Sequence, residues 1–405
     1  MRILISCFTL LIFFSCEQND HTKLMPGHYR ATLEVQDNKE LPFNFKVTED
    51  DMIEIYNAEE VIKVDEISYF NDSIRINFQV FEGYITGKFK DGKVTDAQYI
   101  KESLDRYVPV NFQYDISNRF LDVKPTNLDI SGIWEMVFTE QDGSTFVGKG
   151  IFEQDFNKMT GTIRTETGDY RFLEGVVSGN QLKFSAFDGA HAFLFTAKIA
   201  LNGNGMKGEF YSGNHYKAIF KGKPNPDYEL RNENELTFLK DGFDSIEFSF
   251  PDLDGNMVSL SDEQFQDEVV IVQIMGSWCP NCLDESKYYT EYFKNNPSDD
   301  LEFVALAFEY AKTEEKAFAS LRRLKERIGI EYPILLAQYG TSDKAEAQKK
   351  LPMLNHVLSY PTTIFMDKKG KVRKIHTGFN GPATGQKYVE FKKEFEGFVN
   401  ELLSE

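Results

Sequence analysis

Cysteine is scarce in this chain, with four in 405 residues. Two of them, Cys279 and Cys282, lie three positions apart with no second pair downstream, so a structural zinc site of the four-ligand type is not expected. Leu283, not histidine, follows Cys282, which excludes covalent haem attachment by motif. His356 and His376 stand as isolated metal-ligand candidates. Asp252-Leu253-Asp254-Gly255 lacks the later ligands of a calcium loop and reads as a hairpin turn. No metal and no organic cofactor is expected. Positive charge is also short: the formal net charge is −19, and no lysine run reverses it locally. Nucleic acid and anionic membrane surfaces are thereby excluded as main partners. Long apolar runs are missing as well. Ile3 to Phe14 is too short to cross a bilayer, and nothing later is apolar enough.

The N-terminus carries processing information, not fold. Arg2 precedes the apolar stretch, which ends in Phe13-Phe14-Ser15-Cys16. This resembles the lipobox of bacterial lipoproteins. The resemblance implies a signal peptide over residues 1–15, cleavage before Cys16, and lipidation of that cysteine, with 16–25 as a polar tether. The other reading is a plain secretory signal with a coincidental cysteine. In either case Cys7 leaves with the signal. On the lipoprotein reading the chain is anchored to the cell envelope and faces the periplasm without spanning the membrane. Only Cys279 and Cys282 then remain in a compartment that is usually oxidising. A structural disulfide between them would close a very small loop and remove little entropy from the unfolded chain. The spacing suits a bond that opens and closes.

Length predicts two or three domains. Residues 26–223 show short alternating runs, such as Tyr29-Arg30-Ala31-Thr32-Leu33-Glu34-Val35, between Asp, Asn and Gly turns. A faint repeat pairs Ile76–Gly83 with Leu182–Gly189 and Gly27-His28-Tyr29 with Gly132-Ile133-Trp134. Two β-rich units, 26–126 and 127–223, are expected as sandwiches or small barrels. Pro224-Asn225-Pro226 opens a linker over 224–240. From 241 to 405 the texture becomes α/β: Val269–Met275 and Leu301–Phe308 are apolar runs of the kind buried on both faces of a sheet. Helical patterns follow, the last placing Tyr388, Phe391, Phe395, Phe398 and Leu402 on one side.

The cysteine pair sits where strand gives way to helix, as Gly276-Ser277-Trp278-Cys279-Pro280-Asn281-Cys282. A cysteine at a helix N-terminus meets backbone N–H groups and the positive end of the helix dipole, both of which favour thiolate. Pro280 suits the first turn. Cys282, one turn inward, is positioned to resolve a mixed disulfide formed at Cys279.

The region from about residue 245 resembles the thioredoxin-like family, and within it the TlpA/ResA type of envelope thiol–disulfide oxidoreductase. The resemblance rests on Phe248–Gly255, Leu260-Ser261, Trp278–Cys282 and Tyr360-Pro361-Thr362-Thr363. Glu166–Gly175 and Phe187–Phe193 look like the N-terminal part of multidomain TlpA-type lipoproteins and carry no chemistry of their own. The resemblance implies a thioredoxin-like C-terminal domain behind two β-rich units, exchanging disulfides with protein substrates. Reduction is the favoured direction, and an envelope redox partner restores the pair. Pro361 matches the family's cis-proline and, with Tyr360 and Trp278, is expected to dock substrate. The buried acid that thioredoxin carries six residues before its first cysteine is here Gln273. The TlpA/ResA type instead has a glutamate three residues after the second cysteine, and Glu285 stands there as the expected proton-transfer group. A solvated helix position is the alternative for Glu285. Two other functions compete. One is a peroxiredoxin-like thiol peroxidase, although position 276 is Gly where a peroxidatic motif has Thr. The other is a surface ligand-binding lipoprotein with an accessory redox domain.

Overall fold

The computed structural model describes residues 22–405, so the expected signal peptide and Cys16 lie outside the described residues. The first β-unit is a nine-stranded antiparallel sheet running from Gly27–Glu34 to Arg106–Tyr114. Its first and last strands pair, and Glu60–Val64 and Glu66–Phe70 stand at its two edges. The sheet curls round on itself and stays open there. The second unit is also nine-stranded, but Thr145–Asp155 pairs with both Gly132–Thr139 and Lys158–Thr165, which closes the sheet into a barrel. Alternate side chains from the strands fill both interiors. In the second, Trp134, Phe138, Phe184, Phe195 and Phe210 are fully buried.

The sequence repeat coincides with matching places in the two sheets. Gly27 and Gly132 open the first strand of each unit. The aromatic two residues on bonds back to the backbone in both, Tyr29 Oη to the Met25 carbonyl at 3.0 Å and Trp134 Nε1 to the Ile130 carbonyl at 2.8 Å. Pro224 is the last residue of strand Tyr216–Pro224, opposite Trp134, and not the start of the connection. A strand end needs no donor from it. The connection itself is pinned at several points: Glu229 pairs with Lys149, Arg231 with Glu166, and Glu233 with Lys387.

The C-terminal domain is a five-stranded mixed sheet in the order Ile334–Gln338, Leu301–Phe308, Val269–Met275, Thr362–Met366, Val372–Thr377. The first three strands are parallel, Thr362–Met366 runs against them, and the edge strand Val372–Thr377, antiparallel to Thr362–Met366, turns back to their direction. Helices α1 (Pro280–Asn295), α2 (Glu314–Ile328), α3 (Lys344–Lys350) and α4 (Gln386–Ser404) accompany it. The central strand Val269–Met275 is buried at every residue, as its continuous apolar run requires. Asp252–Gly255 forms the turn of the hairpin joining Ser249–Pro251 to Met257–Ser259.

Candidate active site

The central strand delivers the chain to Gly276-Ser277-Trp278 at its C-terminal end, and two contacts fix that turn. Glu309, fully buried at the end of the neighbouring strand, accepts the Ser277 N–H and hydroxyl, both at 2.7 Å. Burial pushes the Glu309 carboxyl up to about 7, against the two Ser277 bonds that pull it down. The Trp278 indole donates to the Phe308 carbonyl at 2.9 Å, and its ring meets Tyr360 edge-on at 5.6 Å. A side chain at 276 would start 2.3 Å from the Trp278 indole nitrogen, so glycine is required while the indole lies there.

Cys279 caps α1. Its sulfur accepts the Cys282 N–H at 3.2 Å and its thiol donates to the Tyr360 carbonyl at 3.4 Å. Pro280 occupies the first helical position, where its missing N–H removes no bond. The Tyr360–Pro361 peptide is cis and places that carbonyl against the sulfur. Cys279 keeps a sliver of exposure, 6%, whereas Cys282 has none. Burial pushes the Cys282 thiol well up, and the adjacent Cys279 sulfur adds to the shift.

Glu285 lies one turn beyond Cys282 on the face turned to the sheet and is completely buried. Its Oε2 accepts from Gln273 Nε2 at 2.7 Å, and its Oε1 from Thr363 Oγ1 at 3.0 Å and Tyr289 Oη at 3.1 Å. Ser286 Oγ in turn donates to Gln273 Oε1 at 3.1 Å. Burial pushes the carboxyl up to about 7 despite these three donors. The solvated alternative for Glu285 is therefore excluded. Gln273, read from sequence only as a lost acid, is the residue that orients Glu285. Cys279, Cys282, Glu285, Trp278, Tyr360 and Pro361 are thus brought into one place, and Cys16 lies outside the described residues.

The sequence profile of the AhpC/TSA family matches residues 242–375. Thioredoxin-like protein YneN of Bacillus subtilis is 28% identical over 151 residues, covering 37% of this chain and 79% of its own length. Thiol-disulfide oxidoreductase ResA of Geobacillus thermodenitrificans is 28% identical over 144 residues, 36% of this chain and 73% of its own. ResA of Bacillus subtilis is 24% identical over 163 residues, 40% and 74% respectively. The C-terminal domain is a thioredoxin-like oxidoreductase of the TlpA/ResA type. All three relatives match well under half of the chain, and the β-rich units are additional to what they share.

Those units nevertheless reach the thioredoxin-like domain at its cysteine pair. Asn281 Nδ2 donates to the Asp169 carbonyl at 3.1 Å, and Ser359 Oγ to the Thr167 carbonyl at 2.7 Å. Gly168 lies so close that an added Cβ would fall 2.3 Å from Asn281 Nδ2. Arg171, buried, pairs with Asp284 of α1 and with Glu60 of the first unit, donates to the Pro280 carbonyl at 3.3 Å, and has the Asp188 carboxylate 3.4 Å from Nε. Asp169 accepts the Gly381 N–H at 2.7 Å, and burial pushes its carboxyl up to about 6. A cavity of about 240 Å³ opens between the units and Trp278, bordered by Tyr99, Lys101, His215 and Tyr310. Sequence reasoning had placed Asp169, Arg171 and Asp188 in family-like segments without chemistry, and these are the residues that hold the helix start. The remaining histidine candidates are engaged singly, His356 with the Leu236 carbonyl and His376 with Asn234. Among the described residues no cluster of three metal-ligating side chains occurs.

Proposed function

We propose that the protein exchanges disulfides with protein thiols through Cys279 and Cys282, with reduction of the client as the working direction. The observation that carries this reading is the Cys279 sulfur at the helix N-terminus, in contact with the Cys282 N–H and the Tyr360 carbonyl, with Cys282 directly behind it. Cys279 is the attacking thiolate. It displaces one client sulfur as thiolate and forms a mixed disulfide. Cys282 then attacks Cys279, the Cys279–Cys282 bond forms, and the client's second sulfur leaves. Two electrons pass to the client, and the site ends oxidised until an envelope redox partner reduces it. Glu285 is the group through which the Cys282 proton leaves, because its own carboxyl is held near neutrality and can change charge at working pH. The Tyr360 carbonyl and Trp278 border the sulfur and dock the client chain, with Pro361 setting the direction of that carbonyl. Cys16 is the lipid anchor that keeps this chemistry in the cell envelope, facing the periplasm.

The test uses Cys282→Ser, which leaves the attacking thiol without its resolver. Isolated from its native envelope, this variant should carry reductant-sensitive protein adducts that vanish in the Cys279→Ser, Cys282→Ser double variant. Wild type should reduce insulin disulfides. Peroxide consumption without adducts would move the assignment to a thiol peroxidase, as the AhpC/TSA match allows. Absence of adducts, insulin reduction and peroxide consumption together would end the redox reading.

A further inference from the structure

One cleft is built without the cysteines. It lies between the two β-units, has a volume of about 960 Å³, and no residue of the C-terminal domain lines it. Its chemistry is set by strand register. On the outer face of the closed barrel, Lys198 of Ala192–Ile199 stands directly opposite Lys207 of Met206–Ser212, and Lys207 directly opposite Lys221 of Tyr216–Pro224. Three like charges abreast on neighbouring strands destabilise a sheet. The cations nearby find carboxylates: Lys39 and Lys217 share Glu209, and Lys223 pairs with Glu135. Lys198, Lys207 and Lys221 stand outside these pairs and are exposed into the cleft. All this occurs in a chain with a formal charge of −19. No lysine run in the sequence foreshadows it, because the three residues come from three strands.

The same cleft exposes apolar surface. Val137 is opposite Lys221 at the end of the ladder, and Ile219 lies one row away. Both remain largely in contact with solvent, at 39% and 53% exposure, and Leu121 adds 42% from the segment between the units. Cations that lack carboxylate partners among the described residues, beside exposed apolar side chains and inside a cleft of ligand size, call for one molecule that satisfies both.

We propose that this cleft binds an amphiphilic anion: an aliphatic chain carrying a carboxylate or phosphate group, the head on Lys198, Lys207 and Lys221 and the chain over Val137, Ile219 and Leu121. The shared chemistry admits a free fatty acid or an acyl lipid with an anionic head. The site is independent of the redox reading, since the cysteine pair contributes nothing to it.

The test is calorimetric titration of the full chain with laurate, lauroyl lysophosphatidylglycerol, dodecyl maltoside, inorganic phosphate and an oligoglutamate peptide. Saturable binding of laurate or the lysolipid is expected, with the preferred one identifying the source. The Lys198→Gln, Lys207→Gln, Lys221→Gln variant should bind at least about tenfold more weakly and unfold at no lower temperature than wild type, since it relieves repulsion. Ile219→Ser, which leaves the charges in place, should also weaken binding. The proposal is overturned if neither amphiphile saturates, if dodecyl maltoside or phosphate alone binds as tightly, or if both variants bind as wild type. It is also overturned if only oligoglutamate binds, which would make the cleft a polypeptide site.

Discussion

Cys282 and Glu285 point from α1 into the sheet, while Asn281 and Asp284, each one residue earlier on the same helix, point at the second β-unit. The inward face is completely buried. Its polar groups are satisfied within the thioredoxin-like domain by Gln273, Tyr289 and Thr363. The outward face is charged. Its groups are satisfied by residues more than a hundred positions away, with Asp284 held by Arg171 and Asn281 by the Asp169 carbonyl. One turn of helix therefore faces two ways, with the side that carries Cys282 and Glu285 buried against its own sheet and the side that fixes the helix start joined to a different domain. Where a group is both buried and charged, its partner is indispensable. Where it is buried and neutral, its protonation is the adjustable quantity.

Arg171→Met is the strongest way to break this arrangement. It leaves Asp284, Asp188 and Glu60 around an apolar side chain of similar length. Removing one partner of a buried charged set costs about 3–5 kcal/mol. Denaturant unfolding of the reduced protein should show that loss. Asp284→Asn, which removes a single carboxylate and keeps Arg171 paired with Glu60 and Asp188, should cost clearly less. Equal losses in the two variants would mean that Arg171 is not the centre of the cluster.

Much of the inward face was legible in the sequence, and little of the outward face was. Strand, turn, Cys279, Pro280 and helix read directly, because each step is local. Glu285 could be placed near the thiols by helical spacing, but its complete burial could not, since that depends on Gln273 and Thr363 arriving from two neighbouring strands. The outward contacts are longer still: Arg171 and Asp284 are 113 residues apart, and Arg171 and Glu60 are separated by 111. No periodicity encodes such pairs. The repeat between Gly27-His28-Tyr29 and Gly132-Ile133-Trp134 was visible, whereas closure of one sheet and not the other was not. Closure depends on Thr145–Asp155 finding a second neighbour.

Glu285→Gln sharpens the inward half. The Glu285 carboxyl sits near 7 in the fold against about 4.5 in the unfolded chain. A raised folded value means that the stabilising contribution is complete below the unfolded value and is lost as pH rises through the folded one. Wild type should therefore lose on the order of 3 kcal/mol from this group between pH 4.5 and 8. Glu309 and Asp169, raised for the same reason, add losses of the same sign. The variant should lack the Glu285 part alone, so the difference between the two stability–pH curves isolates it. Its exchange rate should also lose an inflection near pH 7. Parallel curves would mean that Glu285 does not titrate in the fold.

Alkylation compares the two sulfurs directly. Cys279 has a path to solvent and the helix N-terminus behind it, whereas Cys282 has neither exposure nor a setting that tolerates charge. In the reduced protein near neutral pH, iodoacetamide should label Cys279 faster by roughly tenfold or more. Mass mapping of the first-labelled peptide settles the order, and faster labelling of Cys282 would reverse the roles given to the pair.

The smallest effect belongs to a second seam, where α2 meets the first β-unit. There Arg327 pairs with Asp65 and Glu66, and Arg323 with Glu66. The pairing resembles that of Arg171, but the setting differs: the Arg327 side chain is 31% exposed and that of Asp65 is 50%. Water already solvates both ends, so Coulomb attraction is screened and ordering two long side chains offsets much of the gain. Arg327→Gln should cost no more than about 1 kcal/mol. Salt separates the two seams further. Raising ionic strength shortens the screening length, so the Arg327 contribution should fade while that of Arg171, closed off from mobile ions, should persist. Unfolding of Arg327→Gln and Arg171→Met at low and high salt checks both. A loss at Arg327 that matches Arg171 and survives high salt would show that burial is not what separates the two seams.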